Sequence, residues 1–167
     1  MMKLKLHKKV SNVIISEVMS SNSLTILDGF GLSSDWIEFY NSGDEVINLK
    51  GAGLSTNIDD PLKWVFSDFK IGPQEYKIVF ASGLNEVDSS GNLHTNIKLS
   101  AKLGETIYFT SALGTLMSII EIPPLDRDIS YGMNEEGEWL YFNHPTPNKR
   151  NGMDGQRTSD FKVYIDS

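Results

Sequence analysis

The chain has 167 residues, 22 Asp and Glu against 15 Lys and Arg for a net charge of -7, 40% hydrophobic residues and no cysteine. These figures describe one ordinary globular domain, which buries roughly 70% of the surface its unfolded chain exposes. They exclude a disordered chain, disulfides, thiolate metal sites and cysteine nucleophiles, and the acidic balance repels phosphate backbones, so no nucleic-acid partner is expected.

The first ten residues, MMKLKLHKKV, carry Lys3, Lys5, Lys8 and Lys9 like the charged start of a signal peptide. No apolar run follows, because Ser11 and Asn12 interrupt and Ser16 and Glu17 break the next stretch. Neither a signal peptide nor a membrane span is therefore encoded in these residues. Leu4 and Leu6 alternate with lysines as in a charge-guarded edge strand, and residues 1–11 read as an N-terminal arm, paired or loose.

Beyond the arm, almost nothing repeats at the helical period. Short runs rich in Val, Ile, Phe, Tyr and Trp, bounded by Gly, Asn, Asp or Ser, predict strands at 13–19, 35–40, 46–49, 53–56, 63–66, 75–81, 105–110, 115–120 and 139–142. About nine strands are enough for two stacked sheets. Turn chemistry separates them at Asn41-Ser42-Gly43-Asp44, Gly72-Pro73, Ser82-Gly83 and Ser89-Ser90-Gly91-Asn92. Only Ser111-Ala112-Leu113-Gly114 lies between the runs 105–110 and 115–120, which predicts an antiparallel hairpin.

Alternation assigns faces: Ile37 and Phe39 oppose Trp36, Glu38 and Tyr40, Ile107 and Phe109 oppose Thr106, Tyr108 and Thr110, and Ile78 and Phe80 separate from Lys77 and Val79. Such strands present one face to a partner sheet and one to water, so an all-β sandwich of two antiparallel sheets is expected. After Pro145-Thr146-Pro147-Asn148 the chain turns Gly-, Asn- and Arg-rich. The sandwich domain is placed at 12–151, with 152–167 a linker or the start of a following domain.

The ordered motifs carry a resemblance. Ile15-Ser16-Glu17-Val18-Met19 precedes Ser34-Asp35-Trp36-Ile37-Glu38-Phe39-Tyr40-Asn41, then Asn48-Leu49-Lys50-Gly51 and Lys63-Trp64-Val65-Phe66. Val79-Phe80-Ala81-Ser82-Gly83, Leu93-His94-Thr95-Asn96, Lys98-Leu99-Ser100, Ser130-Tyr131-Gly132 and Pro145-Thr146-Pro147-Asn148 complete the series. Over about residues 12–151 the chain resembles the bacterial branch of the lamin tail domain family. The resemblance implies an immunoglobulin-like β-sandwich, an accessory domain of exported or cell-surface proteins, and no catalytic residues to carry over. Fold analogy supplies architecture, while function has to come from a site.

Several residues are candidates for such a site. Glu17 and Glu38 interrupt apolar strands, where an unpaired buried charge is expensive. They either face solvent, or accept hydrogen bonds, or join Asp28, Asp35 and Asp44 as oxygen ligands of Ca²⁺, although Asp28-Gly29-Phe30-Gly31 is no EF-hand loop. Of these, Asp28 and Asp35 are the metal candidates. A Lys–Asn or Lys–Asp amide cross-link promoted by a buried Glu, with Lys63, Lys77 or Lys98 as donor, is a further use of the same glutamates. Trp36, Glu38 and Tyr40, with Trp64 and Trp139, form either core or an exposed platform for a sugar or a protein. His7, His94 and His144 form no metal-binding spacing, and no GxSxG element occurs.

Three functions are compared. The preferred one is a non-catalytic structural or interaction module, monomeric or a weak homodimer through an exposed edge strand, with no cofactor. The second is a carbohydrate- or Ca²⁺-binding accessory module. The third, an enzyme, requires a compact cleft holding a Glu of strongly raised pKa beside a second carboxylate.

Overall fold

The computed structural model describes residues 12–159. The N-terminal arm 1–11 and residues 160–167 of the tail lie outside the described residues. Eleven strands follow in chain order: β1 (Val13–Met19), β2 (Trp36–Asn41), β3 (Ile47–Asn48), β4 (Gly53–Ser55), β5 (Trp64–Val65), β6 (Lys70–Ile71), β7 (Tyr76–Phe80), β8 (Glu105–Thr110), β9 (Leu116–Ile122), β10 (Ser130–Met133) and β11 (Trp139–Phe142). They form a five-stranded sheet ordered β11-β10-β1-β2-β7, a four-stranded sheet ordered β5-β4-β8-β9 and the short β3-β6 ladder. Every ladder between these strands is antiparallel. The chain is an all-β immunoglobulin-like sandwich.

The predicted runs recur as strands with ends moved by a residue or two, and β8 and β9 form the expected hairpin, closed by Ser111 N–H to Thr115 O at 2.7 Å. Gly114 makes the turn with φ of 86°, a left-handed conformation that side chains disfavour. Two strands were not predicted. β6 is only two residues long. β10, Ser-Tyr-Gly-Met, lacks an apolar run because Gly132 keeps space for a crossing segment: a side chain there would meet Asn151 Nδ2 at 2.7 Å and Ser16 O at 3.1 Å.

One continuous core fills the space between the sheets. Val13, Ile15, Val18, Ile37, Phe39 and Val79 meet Leu54, Phe66, Ile107, Phe109 and Ile122. Phe39 packs edge-on to Phe66 with ring centroids 5.3 Å apart, an arrangement the ring quadrupoles favour.

The five-stranded sheet departs from simple alternation. Its outward side chains stand in three cross-strand rows set by register: Met19, Trp36 and Phe80; Glu17, Glu38 and Ile78; Ile14, Tyr40 and Tyr76. A bulge at Ser16 in β1 keeps Val13, Ile15 and Val18 inward while turning Glu17 outward. The first row is buried in a second small core with Ile26 from the loop 20–35. The second row is buried beneath the segment 145–151. Only the third reaches solvent. Trp36, Glu38 and Tyr40 do share one face, but that face is not a water-facing platform, because distant parts of the chain cover two thirds of it.

Candidate functional site

Glu17 and Glu38 lie directly opposite each other in the β1-β2 ladder, and both are completely buried. Charged side chains are tolerated at such depth only with partners. Glu17 Oε2 accepts from Ser130 Oγ (2.5 Å) and Thr146 N–H (3.2 Å), and Oε1 accepts from Thr146 Oγ1 (3.2 Å). Glu38 Oε1 is 2.7 Å from Ser16 Oγ, whereas Oε2 makes no hydrogen bond of regular geometry among the described residues and has only the Asn148 and Lys149 amides nearby.

The segment 145–151 is a strap that seals the pair. Asn151 Nδ2 donates to Ser16 O (2.9 Å) and Met133 O (2.7 Å), and its Oδ1 accepts from Thr146 Oγ1. Asn148, held at φ of 63°, accepts the Ile78 N–H on its Oδ1 at 2.9 Å, taking the place of a further strand. Desolvation therefore dominates the carboxyls. Burial pushes Glu17 up to about 7 against the hydrogen bonds from Ser130 and Thr146. Burial, reinforced by the Glu17 charge, pushes Glu38 up to about 9, with Ser16 and the amides of Asn148 and Lys149 opposing. Glu38 is thus a neutral acid at pH 7.

A raised pKa beside a second carboxylate is one half of what an enzyme would need. The other half is missing here: the neighbouring cleft touches Ser16 but neither glutamate. That cleft, of about 410 Å³, lies over the third row, with Tyr40, Tyr76, Asn134 and the contacting pair Arg150 and Glu135 among its walls. The Tyr40 and Tyr76 rings stack at 4.1 Å. Of the three residues singled out as a ligand face, Tyr40 alone lines an open space. Lys77, a candidate cross-linking donor, bonds to Lys70 O and stands over the Phe69 ring, away from the glutamates.

The second polar cluster ties two loops together. His94 is buried between the rings of Phe30 and Phe80. Its Nε2 lies 2.9 Å from Asp88 Oδ2 and its Nδ1 2.8 Å from Ser82 Oγ. A carboxylate only accepts, so Nε2 carries the proton that is shared with Asp88, and Ser82 Oγ is the partner of Nδ1. The chain Ser82–His94–Asp88 has the connectivity of a hydrolase relay, a pattern that spacing alone did not reveal. Its surroundings differ from those of a nucleophile: the Leu84 N–H points into Ser82 Oγ (3.2 Å), and Asp88 also binds Gly29, Ser90 and Asn92. Burial raises the Asp88 carboxyl, yet the bonds from His94, Asn92 and Gly29 outweigh it and hold the group well below the usual range. We expect Ser82→Ala to cost about 1 kcal/mol in urea denaturation, the size of one buried hydrogen bond.

Of the two metal candidates, Asp28 is consumed in the same way. Asp28 accepts from Phe30 N–H (2.9 Å), Leu32 N–H (3.0 Å) and Ser34 Oγ (2.7 Å). Those bonds overcome its burial and lower its pKa. Asp35 accepts a 3.4 Å bond from Asn22 N–H, and burial raises it to about 6, which disfavours the anion that a cation would need. No group of three or more His, Cys, Asp or Glu suited to a metal ion occurs among the described residues. Asp128 completes the series, binding Ser23 N–H, Leu24 N–H and Thr25 Oγ1 at 2.9 Å each.

The family model of the lamin tail domain matches residues 7–123. The match begins before the described residues and covers β1 to β9, while β10, β11 and the strap follow it. No curated protein matches the chain.

Proposed function

The chain belongs to the lamin tail domain family, whose members are non-enzymatic immunoglobulin-like modules, and on that premise we propose that it serves as a non-catalytic interaction module of a larger, exported or cell-surface bacterial protein. One observation supports this most: ionisable groups with chemical potential are sealed inside, while apolar side chains stand outside on fixed loops. Glu17, Glu38, Asp88 and His94 are buried. The loops 20–35 and 82–93, joined by Gly29 N–H to Asp88 (2.7 Å) and Ser89 Oγ to Gly29 O (2.8 Å), expose Leu24, Leu27, Phe30, Leu32, Leu84 and Val87. Apolar surface on a loop frame tied at both ends is suited to a protein partner, since little ordering entropy remains to be lost on binding.

The test is made on the native gene product. Antibody against this domain should find it in the surface or secreted fraction, within a longer polypeptide. A cytosolic product consisting of this domain alone contradicts the proposal.

A second reading rests on the Tyr40–Tyr76 cleft, whose aromatic pair, amide and charged rim suit a carbohydrate. Calorimetric titration with a glycan panel and with Ca²⁺ separates the two. Heat with a glycan that is lost in Tyr40→Ala supports the cleft, and a flat response to every ligand removes it.

A further inference from the structure

Three of the four outer edges of the two main sheets are closed or short. Gln156 exchanges two backbone hydrogen bonds of 2.8 Å with Tyr141 on β11. The edge of β7 is covered by Phe80 N–H to Leu93 O and Thr95 N–H to Phe80 O, and by the Asn148 side chain on Ile78. β5 is two residues long. β9 is different: it runs for seven residues at the end of the four-stranded sheet, and among the described residues no strand pairs with its outer side.

Natural edge strands are guarded by lysine, proline or shortness, because their free N–H and C=O groups accept any extended chain. Residues 116–122 contain no Lys, Arg or Pro and one charge, Glu121. A bulge near the start leaves 118–122 in regular register with β8. Leu116 and Ile119 are 44% and 50% exposed, Leu113 at the hairpin tip 80%, and Leu103 before β8 84%. Met117 and Ile120 pack against the core yet are only partly buried, since the sandwich stands open along this seam.

We propose that β9 is a homodimerisation edge, where two copies pair antiparallel about a two-fold axis at Ile119 to form one eight-stranded sheet. The strand is complementary to itself in this register. Ile119 meets Ile119 and Ser118 meets Ile120 within the regular stretch, and the one charge, Glu121, lies two residues off the axis, so the two Glu121 side chains do not face each other. The hairpin tip with Leu113 from one copy reaches the same end of the joined sheet as Leu103 of the other. Both half-wet core residues gain cover. The net charge of -7 on each copy opposes the approach at long range, so the dimer tightens as salt screens it. Docking of a foreign basic strand on this acidic chain would weaken with salt instead.

Sedimentation of the full chain tests the proposal. The expected result is a shift from monomer to dimer with rising concentration, more complete in high salt, and a monomer at every concentration for Ile119→Lys with an unchanged circular dichroism spectrum. The chain has no cysteine, so Ile119→Cys reports the axis directly and should oxidise to a covalent dimer faster than Val46→Cys, another exposed position. A wild type that stays monomeric throughout, a dimer untouched by Ile119→Lys, or equal cross-linking of the two cysteine variants overturns it.

Discussion

Thermal stability should peak near pH 5 and fall by at least ~3 kcal/mol, about 10 °C in Tm, as the pH is raised to 9. The folded values of Glu17 and Glu38, about 7 and about 9, both exceed the 4.5 of an unperturbed glutamate. Between these limits the native state holds more protons than the unfolded chain, so each step up in pH favours unfolding. Asp35, raised to about 6 from 3.8, acts in the same direction over a lower window. Asp28, Asp88 and Asp128 act oppositely: their lowered values contribute stability that is present above the unfolded pKa and lost as acid protonates them.

Glu38→Gln isolates the dominant group. The amide is neutral, as the buried acid is at pH 7, so the variant should match the wild type near pH 5 and exceed it at pH 9, with a flatter profile between. Glu17→Gln should not behave alike. Its carboxylate accepts from Ser130 and Thr146, and an amide nitrogen would confront one of those donors. Circular-dichroism melts across the pH range check both variants.

Removing the strap's main anchor should have an effect of similar size. Asn151→Ala deprives the Ser16 and Met133 carbonyls of their donor in a buried setting, while Thr146 Oγ1 keeps Glu17 Oε1 as its acceptor. Unsatisfied buried groups of this kind cost ~2–4 kcal/mol together. The loss should be local before it is global. Hydrogen exchange should accelerate at Thr146 and at Ile78, whose N–H depends on Asn148, while the β8-β9 hairpin keeps its protection. Water admitted beneath the loosened strap lowers the Glu38 pKa, so the pH dependence should shrink as well. Unchanged exchange at both amides would mean that the strap is not held by Asn151.

Much of this fold is legible in the sequence because inward residues obey a local rule. Ile37 and Phe39, or Ile107 and Phe109, need only the two-residue period of a strand to be placed in the core. The outward residues follow no such rule. Nothing near Glu38 announces that a segment more than a hundred residues later will cover it, or that the loop 20–35 will bring Ile26 over Trp36. β10 is hidden in the sequence for a related reason, since Gly132 makes room for the strap and Ser130 serves Glu17, and neither favours a strand. The relay at His94 had a partial signal in Asp88-Ser89-Ser90-Gly91-Asn92, a carboxylate at the head of a turn, but Ser82 joins it only through strand pairing. Asp28 and Asp35 read equally well as ligands or as loop anchors until their hydrogen-bond partners are known.

These buried polar residues hold the sandwich together, and the ionisation of Glu38 tests that most directly. Carbon-13 NMR of the glutamate side-chain carboxyls should show one neutral acid at pH 7 that titrates near 9, coupled to a second that titrates near 7. A Glu38 carboxyl that titrates near 4.5, as an exposed one does, would mean that water reaches the pair, and the account of a sealed, structural pair beneath the strap would fail.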